Sequence, residues 1–139
     1  MTLSTENLVT AGVVLLAVVT IAYGGTFVLR VVRGQVPANE LQRSFYRAGH
    51  AHAGVLVILG LVVLMLTSSP GVPGWASDWS SLVLWAAILI PAGFFLSVIG
   101  RDPQRPSRLI VLLWLGAASL AVGLVTAGVG LILAGTTGS

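Results

Sequence analysis

Cysteine and lysine are both missing from this sequence, and only 8% of its residues carry a charge. Without cysteine there are no disulfides, no thiolate nucleophile, no thiolate metal site and no cysteine-linked haem. The scarcity of charge excludes more. A soluble domain is about 25% charged, and a small one needs that polarity to cover its surface. Soluble enzymes, nucleic-acid-binding domains and disordered tails are excluded on this ground. Carboxylates are few as well: Glu6, Glu40, Asp78 and Asp102 are the full set, and none lies inside an apolar run. No segment alternates polar and apolar residues over ten positions, so a β-barrel is excluded. Phosphate-binding loops, dinucleotide fingerprints, zincin motifs and nucleophile elbows are absent.

What fills the chain instead is hydrocarbon. Of its 139 residues 56% are hydrophobic, and the mean hydropathy is +1.00. Apolar stretches cover residues 8–30, 45–67, 81–100 and 108–134, each near the ~20 residues that cross a bilayer core. The first stretch has no basic segment ahead of it and is followed by arginines, which reads as a true span and not a signal peptide. The links are short and carry helix breakers. Gly34 and Pro37 precede Asn39 and Ser44, two N-cap candidates; Pro70 and Pro73 interrupt residues 67–80; Pro103 and Pro106 tighten residues 101–107, with Ser107 as the next N-cap candidate. Short links make successive helices antiparallel neighbours. The expected fold is one all-α integral membrane domain, an up-down-up-down bundle of four transmembrane helices.

All seven basic residues are arginines, and all lie in or beside the first and third links: Arg30, Arg33, Arg43, Arg47, Arg101, Arg105 and Arg108. Under the positive-inside rule this bias puts both termini and residues 67–80 outside the cytoplasm. Trp75, Trp79 and Trp85 then mark the outer interface and Trp114 the inner one. A multi-pass protein of a bacterial-type cytoplasmic membrane follows. The pI near 10.7 is explained by that topology, with no nucleic-acid partner. Arg30, Arg33, Arg101, Arg105 and Arg108 are expected to contact anionic headgroups on the cytoplasmic side.

The chemistry-bearing segment is Phe45-Tyr46-Arg47-Ala48-Gly49-His50-Ala51-His52, which holds both histidines at the start of the second span. On a helix, residues two apart point roughly 200° away from each other, so His50 and His52 cannot chelate one ion together. With no cysteine and no carboxylate within a span, no metal site is expected. Arg43, Arg47 and His50 share a face that suits an anion, or a haem propionate beneath a ligating His50. Tyr46, Gly49, Ala53 and Gly60 form the opposite, close-packing face, towards His52. Arg43, Arg47, His50 and His52 are therefore the cofactor-binding candidates, with haem as the group considered, and no residue stands out as catalytic. The stretch from Arg47 to His52 resembles His-x-His helix starts in the catalytic subunits of haem-copper oxidases. That resemblance covers these residues alone, and the other oxidase histidines have no counterpart here.

Small residues gather in the fourth stretch. Ser119, Gly123 and Ala127 have the small-xxx-small spacing of a helix-packing surface, within one chain or between chains. Pro91, beside Gly93, is expected to kink the third span. A weaker pattern relates Gly25-Thr-Phe-Val-Leu to Gly93-Phe-Phe-Leu-Ser, each followed by an arginine-bearing link.

Three functions fit these features. The first is a structural or accessory subunit that works by helix packing, as a homo-oligomer or within a larger membrane complex. The second is a haem- or quinone-linked electron-transfer component using the histidines. The third is an oligomeric small-solute transporter. Under the expected topology, cysteines introduced at Gln104 and at Ser139 should react with an impermeant reagent from opposite sides of the membrane. Labelling from one side would refute that orientation.

Overall fold

The computed structural model describes residues 3–137. These form α1 (Thr5–Val32), α2 (Glu40–Thr67), α3 (Gly74–Ser80), α4 (Leu82–Leu96), a 3-10 turn (Arg108–Ile110) and α5 (Val111–Thr137). Four helical segments are long and apolar enough to cross a membrane: Thr5–Val32, Glu40–Thr67, Gly74–Leu96 and Arg108–Thr137. No strand occurs among the described residues. The terminal residues, Met1 and Ser139 among them, lie outside the described residues, and with them the labelling position at the C-terminus.

Local chemistry sets the helix ends. Ser4 caps α1, its Oγ accepting from the Asn7 amide at 3.2 Å, and Glu6 and Arg30 sit at the ends where the helix dipole favours them. Past α1 the chain reverses at Gly34, whose φ of +71° suits glycine. Of the two N-cap candidates for α2, Asn39 is the one used. It forms a capping box with Gln42, so the helix starts ahead of the expected residue 45. Ser107 caps the 3-10 turn that leads into α5.

Two expectations need correction. Residues 67–80 are not wholly a non-helical link, because α3 occupies Gly74–Ser80. Pro73 can start a helix although it cannot continue one, and Ala76 gives α3 a buried contact on α5 at Gly130. The third span also stops short of residue 100. The helix ends at Leu96, and the Ser107 amide donates to the Ser97 carbonyl at 2.7 Å across the turn.

Helix α4 lies at the centre, between α2 and α5, while α1 packs chiefly on α2. Leu56, Val57, Ala86, Ala87 and Ile90 form the main core, with Val63, Val83 and Ala127 as a second cluster. The helices approach closely through glycines. A Cβ on Gly116 would lie 2.9 Å from the Ile90 amide nitrogen, and one on Gly123 would lie 2.9 Å from that of Val83. Gly93 faces the Leu113 backbone, and Gly130 faces Ala76. On the other side of α4, Gly60 takes Leu84 and Gly49 takes Phe95. The Gly123 and Ala127 surface is buried within the chain, with Ser119 half-buried beside it. Gly25 and Gly93, which correspond in the weak repeat, each meet the helix that follows: His50 for Gly25, Leu113 for Gly93.

Successive long helices run in opposite directions. Asn7, early in α1, donates to Ser68 Oγ just past α2 at 2.8 Å. At the other end, Gln42 of α2 meets the chain leaving α4. Gly123→Leu would drive a side chain into Val83, and should lower stability by about 1–3 kcal/mol, the usual cost of overpacking. Thermal unfolding in mild detergent checks this; an unchanged midpoint would count against the close α4–α5 approach.

Candidate functional site

Residues 39–52 bring the start of α2 against the end of α4. Gln42 organises this end. It is buried, and its Nε2 donates to the Val98 carbonyl at 3.0 Å and the Gly100 carbonyl at 2.9 Å. Its Oε1 accepts from the Asn39 amide at 3.1 Å. These carbonyls lie in the non-helical chain just past α4, where no helix ladder supplies a donor, and a side-chain amide from α2 supplies one. Asn39 continues the network, its Nδ2 donating to Asp102 Oδ1 and to the Pro103 carbonyl, each at 2.8 Å. Asp102 thus accepts from Asn39, across 63 positions of sequence. Gly100, at φ +145°, makes the turn that presents its carbonyl.

Aromatic rings tie three helices together above this network. Tyr46 packs edge-on against Phe27 of α1 at 5.3 Å and stacks on Phe95 of α4 at 5.5 Å. Phe45 meets Phe94 edge-on at 5.4 Å. Such pairs contribute about 0.5–1.5 kcal/mol each beyond the area they bury.

The two histidines occupy different surroundings. His50 is half-buried and turns its ring edge to α1: a Cβ on Gly25 would lie 3.1 Å from its Nε2. His52 is exposed, with its ring 5.2 Å from that of Phe94. Its Nδ1 lies 2.7 Å from the Ala48 carbonyl. Since a carbonyl only accepts, Nδ1 carries the proton in that bond, and the lone pair of a neutral ring sits on Nε2. The expected division placed the ligating role on His50 and helix contact on His52. Here His50 contacts a neighbouring helix with its Nε2 edge, and His52 presents an oriented, accessible nitrogen.

Arg43 and Arg47 are exposed on α2, as are Arg30, Arg33, Arg101, Arg105 and Arg108. The links gather these cations at one end of the helices, where they are free to meet anions. Among the described residues, no group of three or more His, Asp and Glu side chains is placed to hold a metal ion. Towards the middle of the helices a half-open apolar cleft of about 360 Å³ separates α1 from α4, floored by Ala53 and Val57 of α2 and bordered by Pro91.

No known protein family, curated protein or solved structure matches the chain. Its own geometry therefore carries the functional argument.

Sequence reasoning missed Gln42, whose partners lie 56 and 58 positions away. The one local signal was its place three residues after Asn39, the capping-box spacing. Gln42→Leu removes the donor to two carbonyls and the acceptor for one amide. It should destabilise the fold by about 2 kcal/mol, the cost of stranding buried backbone groups. Denaturant titration, with amide exchange read over residues 97–108, would register the loss. Unchanged stability and protection would show that water replaces the side chain at no cost.

Proposed function

We propose that the chain is a multi-pass protein of a bacterial-type cytoplasmic membrane, serving as a structural or accessory subunit through helix packing. In this reading the arginine end faces the cytoplasm and its anionic headgroups, and both termini face away. The orientation rests on charge distribution. The accessory role rests on one feature of α5.

That helix carries two small-residue faces. Gly116, Gly123 and Gly130, seven apart, are filled by α3 and α4. Ala121, Gly128 and Gly135 repeat the spacing on another face, and a Cβ at Gly128 or Gly135 would meet nothing within 4 Å. Glycine within a helix costs about 1 kcal/mol relative to alanine. Lipid chains draw no advantage from an exposed backbone, whereas a second helix packs closely on it. A partner helix from a second copy, or from a larger membrane complex, is the occupant this face suits. The alternatives have less behind them. Electron transfer through haem would rest on His52 alone, because α1 takes the Nε2 edge of His50. A transporter of several copies would need a polar path, and the cleft beside α1 is apolar.

Gly128→Leu tests the role directly, since the added side chain points into open space within the chain. Energy transfer between donor- and acceptor-labelled copies in liposomes, and particle mass in mild detergent, would report association. The expected result is at least a tenfold loss of association with the melting midpoint unchanged, on the order of 1.4 kcal/mol. A wild-type chain that stays monomeric and joins no complex would overturn the reading.

A further inference from the structure

The cleft between α1 and α4 continues into a second cavity of about 260 Å³, lined by Glu6, Asn7, Thr10, Ser77, Asp78 and Ser81. Leu84 lines both cavities, so one follows the other along α1 on one side and along α3 and then α4 on the other. The register is regular. On α1 the lining positions run Glu6, Thr10, Val13, Ala17 and Ile21, and across the groove Asp78, Ser81, Leu84, Ile88 and Pro91. Both sets step by three or four residues, which keeps the α1 set on one helix face, while the second set passes from α3 through the turn at Ser81 into α4. Each set is polar at one end and apolar beyond it. From Thr10 to Ile21 the groove runs about 16 Å at 1.5 Å per residue, close to the ~15 Å depth of one leaflet's hydrocarbon.

The polar end also has a sign. The arginines all lie in or beside the links at the opposite end of the helices, and the charged side chains lining this mouth are two carboxylates, Glu6 and Asp78. An anionic headgroup would be repelled there. An ammonium would be held by the acids, with hydroxyls and the Asn7 amide around it.

We infer that the groove between α1 and α4 binds one leaflet lipid with an ammonium-bearing headgroup, the headgroup between Glu6 and Asp78 and one acyl chain along Val13, Ala17 and Ile21. The inference rests on the membrane reading above, and is independent of any association through α5. Shape and charge specify the same orientation: the acids sit where a headgroup lies, and the apolar groove runs where its chain lies. The groove stays open because α1 is held to α2 near its two ends, by Asn7 on Ser68 and by Gly25 against His50.

The test reconstitutes the full chain in nanodiscs of equal parts phosphatidylethanolamine and phosphatidylglycerol, and weighs the lipid retained on release by native mass spectrometry. The ratio of phosphatidylethanolamine to phosphatidylglycerol in the retained lipid should be roughly fivefold that of the bulk mixture, the scale of one partly exposed ion pair. Glu6→Gln combined with Asp78→Asn should erase the enrichment. Ala17→Trp, which fills the groove, should remove the retained lipid. A phosphatidylethanolamine with a photoreactive acyl chain, applied to the unaltered protein, should label residues 13–21 and 84–91, which keeps the idea testable if the tryptophan variant fails to fold. Equal retention of the two lipids, enrichment that survives the acid variants, or labelling confined to other faces would overturn the inference alone. So would a crosslink from a cysteine at position 17 to another chain, which would put a helix in the groove. Failure to enter nanodiscs at all would overturn it together with the membrane reading.

Discussion

The core of α2, α4 and α5 depends on places where no β-carbon fits. Gly93 meets backbone of α5, Gly116 and Gly123 meet backbone of α4, and Gly60 meets Leu84. In the membrane reading proposed above, helices surrounded by hydrocarbon gain little hydrophobic energy from touching one another, so contact comes from dispersion at short range. Glycine permits that range by exposing backbone to backbone. The entropic cost of glycine within a helix is then offset by the dense α4–α5 contact. Val83 and Ile90, the residues seated against these glycines, are among the most buried in the chain.

Helix α1 is attached by a different principle. Val31 is its one buried residue, and its ties to α2 are discrete: Asn7 to Ser68, Gly25 against the His50 ring, and Phe27 against Tyr46. These lie towards its two ends. Between them stand Val13, Val14 and Ala17, side chains too short to close the distance to α4. A continuous glycine seam would have drawn the helices together and abolished the cleft. The sequence places its contact glycines on α2, α4 and α5 and leaves α1 with one, Gly25, so the looseness of α1 follows from composition.

The helices were legible because long charge-free runs leave few alternatives, and the Asn39 cap was legible because capping is local. What was illegible depended on distant partners. Helix α3 looked like link because Pro70, Gly71, Pro73 and Gly74 crowd its approach, yet Ala76 finds Gly130 on α5 and the segment winds up. Nothing near Gln42 in the sequence announces the two carbonyls that the chain past α4 supplies for it. The histidines show the limit most clearly. Helical spacing separates His50 and His52 onto different faces, but it cannot say which neighbour each face meets. The seven-residue spacing of Gly116, Gly123 and Gly130 was visible in the sequence, and it describes the α5 contact better than the Ser119, Gly123 and Ala127 spacing does.

Polar groups are divided between inside and outside by charge. The buried ties use neutral groups: Gln42 at one end, and at the other Thr67 with Ser80 at 3.2 Å. Among the described residues no buried side-chain nitrogen or oxygen lacks a partner. An amide or hydroxyl can be fully satisfied by two or three hydrogen bonds, while a buried charge would also need its ionic solvation replaced. Keeping the interior neutral leaves every arginine exposed at one end and leaves Glu6 and Asp78 facing a cavity at the other. Among the charged groups Asp102, which accepts from Asn39, is an exception that does tie two segments together. The arginines, Glu6 and Asp78 stay exposed, and a chain with so few charged residues can still present opposite signs at its two ends.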